Sequence, residues 1–280
     1  MAPSTYNNLS VPAIMYGTAW KKDDTSRLVK LAVESGFTAI DTANQLIHYQ
    51  EALVGDALLE LQKNGVKREA LFLQTKFTPT NGQDHRTPYD AQADLTTQVN
   101  QSMESSLKHL HTDHLDSYVL HGPYHRNTLG DEDYEVWAAM EKLFDEGKTR
   151  AIGVSNVNAK QLTDLCAKAR IKPMMVQNRC YAAMGWDLNV REICRRENLI
   201  YQGFSLLTAN PQVVSSREVR GIATRLRCTT AQVIFKFAMS IGMLPLTGTT
   251  DEQHMKEDLA SEQLDLSAAE VEIVESIAAS

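Results

Sequence analysis

TAIDTANQLIHYQEALVGDALLELQKNGVKREALFLQTK, residues 38–76, reads as strand, helix and strand in succession. Residues 38–42 are short and β-prone and close on the polar pair Asp41-Thr42. Residues 51–63 carry Leu53, Val54, Ala57, Leu58 and Leu61 on one helical stripe. Residues 71–76 are again mostly apolar and end in Lys76. Near-continuous apolar runs of this kind suit strands buried on both faces, the condition of a parallel sheet covered by helices.

The same alternation extends in both directions. Strands are predicted at 13–18, 38–42, 71–76, 117–121, 151–155, 173–177, 199–204 and 243–246. Helical patterns fall at 24–35, 51–63, 91–110, 131–146, 158–169, 188–197, 216–226, 230–241 and 251–259, with a further helix at 267–279. Gly36 is the expected C-terminal stop of the first helix. Eight strand–helix repeats predict an α/β fold, a (β/α)8 TIM barrel, spanning 1–280 as a single domain. A doubly wound sheet is the competing topology. It usually places a glycine-rich turn after its first strand, whereas this chain has Gly17-Thr18-Ala19-Trp20 there and no GxGxxG.

Composition narrows the class further. With 43% hydrophobic and 22% charged residues over 280 positions, the chain has the make-up of a globular domain. A net charge of −7 argues against a nucleic-acid or anionic-membrane binder. The stretch 1–12 lacks the apolar core of a signal peptide, and no run is long enough to span a bilayer. Cys166, Cys180, Cys194 and Cys228 form no CxxC pair and are expected as free thiols. A cytoplasmic protein is expected, and, for want of an exposed apolar stripe, a monomer.

In a barrel the chemistry gathers at the C-terminal ends of the strands. Those ends carry Asp41, Lys76 and His121 on three successive strands, then Ser155-Asn156, Gln177-Asn178 and Phe204-Ser205. Each alone has a plain structural explanation as a cap, a loop anchor or a core histidine. Three together, closed around one pocket, suit acid–base chemistry. A Lys beside an Asp keeps its charge, and a cation beside a Tyr hydroxyl favours the phenolate and lowers its pKa. Such a Tyr can protonate a carbonyl oxygen as hydride reaches the carbon. Tyr49 lies in the loop after Asp41.

Along nearly its whole length the chain resembles the aldo-keto reductase family. The matching pieces are Gly17-Thr18, GFTAIDTA ending at Ala43, EALVGDAL from Glu51, LQTKF around Lys76 and YVLHGP around His121. AIGVSN ending at Asn156, VQNRCY from Val176 and GFSLL from Gly203 continue the series. The resemblance implies a catalytic tetrad of Asp41, Tyr49, Lys76 and His121. The Tyr departs from the usual spacing, which would land on Leu46; seven residues separate Asp41 from Tyr49. Counting back from Val54-Gly55 favours His48, whose imidazolium is the alternative proton donor.

The resemblance also implies a nicotinamide cofactor, NADPH/NADP+ with NADH possible. Ser155, Asn156 and Gln177 would hold the carboxamide, and Phe204 would stack on the ring in place of the usual Tyr. Ser205 and Leu206 match pyrophosphate-contacting positions, and Gly17, Thr18 and Asp41 are further cofactor-binding positions. In place of the usual Lys-Ser pair and Arg that grip a 2′-phosphate, the chain has Gly248, Thr249 and His254, with Glu257 and Asp258 near the adenine. Trp20, Tyr49 and His121 would contact substrate, and Trp186 and Tyr124 are further candidates for the pocket wall. The chain ends soon after its last helix, so an open pocket is expected.

The activity implied is NAD(P)H-dependent reduction of an aldehyde or ketone to an alcohol, reversibly, on a small molecule. The alternative is a nicotinamide-binding sensor or partner-binding subunit with little turnover. A metal-dependent hydrolase would need paired strand-end ligands, and His121 is the one strand-end histidine. No metal is expected.

Overall fold

The computed structural model describes residues 3–277. Eight strands close in parallel: β1 (Met15–Gly17), β2 (Ala39–Asp41), β3 (Phe72–Phe77), β4 (Ser117–Leu120), β5 (Ile152–Ser155), β6 (Met175–Arg179), β7 (Ile200–Phe204) and β8 (Met243–Thr247). The barrel closes where β1 meets β8, with Met15 opposite Leu246 and Tyr16 opposite Thr247. The (β/α)8 barrel expected from the sequence is the fold observed.

Helices alternate with the strands: α1 (Thr25–Ser35), α2 (Glu51–Lys63), α3 (Leu95–His109), α4 (Asp131–Asp145), α5 (Ala159–Lys168) and α6 (Leu188–Glu197). Three follow β7, namely the single turn α7 (Pro211–Val214), α8 (Arg217–Leu226) and α9 (Thr230–Ser240). After β8 come α10 (Glu252–Ala260) and α11 (Ala268–Ser276). Residues 278 and 279 of the expected last helix lie outside the described residues. The turn α7 was not read from the sequence, and α3 begins four residues later than expected. Residues 91–94 form a turn instead, and the Asp94 side chain accepts a hydrogen bond from the Thr97 amide as the N-cap. Reciprocal Asn158/Gln161, Thr229/Gln232 and Ser267/Glu270 bonds start α5, α9 and α11. Gly36 ends α1 at φ 117°, a left-handed conformation that glycine adopts without Cβ strain.

Gly55, inside α2, has a packing role. A Cβ there would sit 1.7 Å from the His109 carbonyl oxygen, so the glycine lets α2 and α3 touch backbone to backbone. Val54, Ala57 and Leu61 of the same helix are buried. Each large apolar side chain so removed from water contributes about 1.5–3 kcal/mol.

Inside the barrel the strands alternate with a period of two. Met15, Ala39, Phe72, Met175, Ile200 and Leu244 pack together, and Leu9 and Val11 of the N-terminal segment join them. That segment folds into a short antiparallel turn, with Ser4 paired to Ser10. One step toward the C-terminal rim the inward residues turn polar: Asp41 lies opposite Gln74, and Gln177 opposite Gln202. Cys166, Cys180 and Cys194 are buried and Cys228 half-buried, all four free thiols. Among the described residues no helix is long and apolar enough to cross a membrane.

Candidate active site

The rim encloses a groove of about 570 Å³, a volume suited to a small-molecule ligand. Its β2–β4 side presents Asp41, Tyr49 and His121. Next come Ser155, Asn156, Gln177, Phe204, Ser205 and Leu206 from the ends of β5, β6 and β7. On the β8–α10 side stand Gly248, Thr249, His254, Glu257 and Asp258, with Gly17 at the end of β1 and Trp20 on the loop that follows it. Two of the expected catalytic and cofactor residues are off the wall. Thr18 is buried, its hydroxyl donating to the Asp41 carbonyl at 3.0 Å, so it braces β1 against β2. Lys76 lies just beneath the wall.

Lys76 is completely buried. Its Nζ donates to both Asp41 carboxylate oxygens, at 2.8 and 2.7 Å, and to the Thr42 carbonyl at 2.8 Å. Burial lowers the Lys76 pKa, and Asp41 opposes that fall. The ammonium lies 5.2 Å from the centre of the Tyr49 ring. Even so, burial and the Asp41 charge push Tyr49 well above the ordinary tyrosine value. Burial and the Asp41 charge thus act against the phenolate that the sequence expects Lys76 to favour. Tyr49 is a neutral hydroxyl, and none of the described residues hydrogen-bonds to it.

The spacing problem resolves in the loop between β2 and α2. The Asn44 side chain donates to Ser106 Oγ at 3.1 Å, Gln45 to the Gly82 carbonyl at 2.8 Å, and the Tyr49 amide to the Gln45 carbonyl at 3.1 Å. These anchors fold the extra residues into a turn that returns Tyr49 to the groove. Its ring meets His121 edge-on at 5.8 Å. His48 points elsewhere. Its ring packs on Trp20 at 4.1 Å, its Nδ1 pairs with Gln45 Oε1 at 2.9 Å, and burial lowers its pKa, disfavouring the imidazolium. Leu46 is exposed.

His121 follows the last residue of β4. Burial, reinforced by Lys76 and His48, pulls its pKa down to about 3, so the imidazole is neutral at physiological pH. Its Nδ1 lies 2.7 Å from the Thr78 hydroxyl, a partner not identified from the sequence. Three rim residues adopt left-handed backbone: Trp20 (φ 65°), Asn156 (φ 57°) and Ser205 (φ 58°). Such conformations persist where surrounding structure holds them, often at ligand sites. Asn156 Nδ2 donates to the His121 carbonyl at 2.8 Å and Ser155 Oγ to the Gln177 carbonyl at 2.6 Å, tying the rims of β4, β5 and β6 together. The Arg179 guanidinium lies 5.6 Å from the centre of the Phe204 ring.

On the β8–α10 side Thr247 Oγ1 donates to Asp258 at 2.7 Å, while burial raises the Asp258 carboxyl to about 6. Lys21 reaches in from the first loop and bonds the Gly248 carbonyl. It lines the groove and was missed in the sequence, where it reads as one of several loop lysines. Trp186 and Tyr124 are not on the wall. Trp186 is buried against Phe237, ring centres 4.9 Å apart, and Tyr124 packs on the helix layer.

A closed parallel barrel with an Asp–Lys pair, a Tyr and a neutral His on one side of a long groove defines a class, the barrel oxidoreductases. The chain belongs to the aldo/keto reductase family, whose sequence model matches residues 13–279. It is 28% identical to the glyoxal reductase of Bacillus subtilis over 256 residues, covering 91% of this chain and 84% of that protein. It is 30% identical to NADPH-dependent codeinone reductase 1-4 of Papaver somniferum, covering 97% and 87%. The aldose reductase structure from Schistosoma japonicum superposes with a TM-score of 0.84 at 25% identity, covering 99% of this chain and 92% of that one. The chain is accordingly an oxidoreductase of this family.

Proposed function

We propose that this chain reduces an aldehyde or ketone to an alcohol, reversibly, using NADPH, with NADH as a weaker cofactor, as a monomeric enzyme of the cytoplasm. The observation that carries the reading is the meeting of Asp41, Lys76, Tyr49 and His121 on one side of a groove whose remaining wall fits a dinucleotide. The fit rests on three features: a flat aromatic ring at Phe204, the polar edge of Ser155, Asn156 and Gln177, and a cation at Lys21 beside Gly248. NADPH bound there supplies a hydride.

The protein's own residues do the rest. The Tyr49 hydroxyl donates its proton to the carbonyl oxygen, and its raised pKa keeps that proton in place until substrate arrives. Lys76, fixed by two bonds to Asp41, supplies positive charge near the ring as phenolate develops. His121, held neutral, offers Nε2–H to the carbonyl oxygen when the Thr78 hydroxyl donates to its Nδ1. Trp20, 65% exposed at the rim, gives the substrate an aromatic wall.

The test is oxidation of NADPH and NADH by the purified protein across a panel of aldehydes and ketones. Turnover with at least one carbonyl, faster with NADPH, is the expected result. Cofactor binding without turnover on a broad panel would replace the reductase with a binding protein.

A further inference from the structure

Beneath the groove, Asp41 and Gln177 of its wall are tied in one polar layer to two glutamines that take no part in the steps above. Gln74 and Gln202 are wholly buried, and Gln177 and Asp41 nearly so. Gln74 Nε2 donates to Asp41 Oδ1 and to Gln202 Oε1, both at 2.7 Å. Gln202 Nε2 returns a bond to Gln74 Oε1 at 3.0 Å, giving a reciprocal amide pair across the barrel. Gln177 Nε2 donates to Asp41 Oδ1 at 3.1 Å and to Gln202 Oε1 at 2.9 Å.

The polarity of this layer follows from one group. A carboxylate only accepts, so Gln74 and Gln177 must both turn their amide nitrogens toward Asp41. Gln74 then offers its second N–H and its oxygen to Gln202, which orients the Gln202 amide with Oε1 toward Gln177. Gln177 has both N–H bonds committed downward, and its Oε1 is left facing the groove. None of the described residues donates to that oxygen. Buried polar networks that are fully paired hold their members in one arrangement.

We infer that Gln74 and Gln202 are positioning residues that fix the Gln177 amide with its oxygen toward the groove, so that this point recognises an N–H donor on the bound ring. The inference rests on the nicotinamide reading above. What it adds to that reading is the origin of the selectivity, which lies two residues below the strand ends in side chains that do not line the groove.

The test measures equilibrium binding of NADP+, of its 3-acetylpyridine analogue and of 2′,5′-ADP to the full chain. The analogue replaces the carboxamide N–H2 by a methyl group, and 2′,5′-ADP lacks the ring altogether. Wild type is expected to prefer NADP+ over the analogue about tenfold, the order of one hydrogen bond. In Gln202→Met the Gln177 amide keeps only its bond to Asp41, and in Gln74→Met the Gln202 oxygen that receives its second N–H loses its own anchor; each variant is checked by its own melting curve. The preference should fall to threefold or less while 2′,5′-ADP binding is unchanged, a pattern that general loosening of the barrel would not give. A wild-type ratio near one overturns the inference without recourse to any variant, as do variants that keep the tenfold ratio. Wild type that binds neither dinucleotide instead removes the nicotinamide reading itself.

Discussion

On the β2–β4 side of the groove Asp41, Lys76 and His121 stand on or beside strand ends and are tied into a bonded network, and Tyr49 joins them from an anchored loop. On the β8–α10 side the residues come from a loop and a helix, and cations are sparse. The first side is fixed by barrel register: Asp41 opposite Gln74 and Lys76 opposite Val119 leave no freedom to slide. The second side is set by loop conformation and by a short helix capped at Asp251. A rigid strand-built half suits the reacting atoms, and a loop-built half suits the part of a ligand that only has to be held.

The contrast is broken most directly at Lys76. Lys76→Met leaves Asp41 buried without its cation, and loss of one partner of a buried pair costs about 3–5 kcal/mol. Turnover should fall by about 10³-fold and the melting temperature with it. A variant with normal turnover would place the chemistry elsewhere.

On the β8–α10 side the largest expected effect is on stability. The Asp258 carboxyl is raised by burial to about 6 from 3.8, so between those pH values the folded state binds more protons than the unfolded one. Stability from this group is therefore present at low pH and falls as pH rises through about 4 to 6. Asp258→Asn should stabilise the protein at pH 8 by up to about 3 kcal/mol and leave it nearly unchanged at pH 4. Denaturant titrations at the two pH values check this, and equal effects at both would contradict the assignment.

A smaller effect is expected from His254→Arg, which adds a permanent charge facing the groove beside Thr249. The preference for NADPH over NADH should grow about tenfold, measured as a ratio of kcat/KM values. An unchanged ratio would move the 2′-phosphate away from this helix. The smallest effect is a flat line. His121 is neutral above about pH 3 and Tyr49 keeps its proton past neutrality, so neither should bend the kcat/KM profile for carbonyl reduction between pH 5 and 8. A rise or fall centred near 6.5 that disappears in His121→Gln would show that histidine titrating in the working range.

The two sides also differ in how much the sequence revealed. All eight strands were legible because parallel strands buried on both faces become apolar runs, and Asp41, Lys76 and His121 stood out as polar residues closing them. Tyr49 was harder, since its place depends on how Asn44 and Gln45 anchor the loop, and spacing alone pointed equally to Leu46 or His48. Gln74 and Gln202 passed unnoticed because a glutamine inside a strand looks like ordinary alternation; the signal was its position two residues before Lys76 and Phe204. Trp186 was misplaced because residue type does not say which way a loop turns. Left-handed backbone at Gly185, Trp186 and Asp187 directs its ring onto Phe237 instead of the groove.

The central claim is that Tyr49, displaced in sequence, is the proton donor in space. It is tested by single-turnover NADPH oxidation with one accepted aldehyde, comparing wild type, Tyr49→Phe and His48→Ala. Tyr49→Phe should slow the step by about 10³-fold with cofactor affinity and melting temperature unchanged, because that hydroxyl has no hydrogen-bond partner among the described residues to lose. His48→Ala should slow it less than about fivefold. A large loss in His48→Ala beside a nearly active Tyr49→Phe would contradict the account and move the proton to the imidazole.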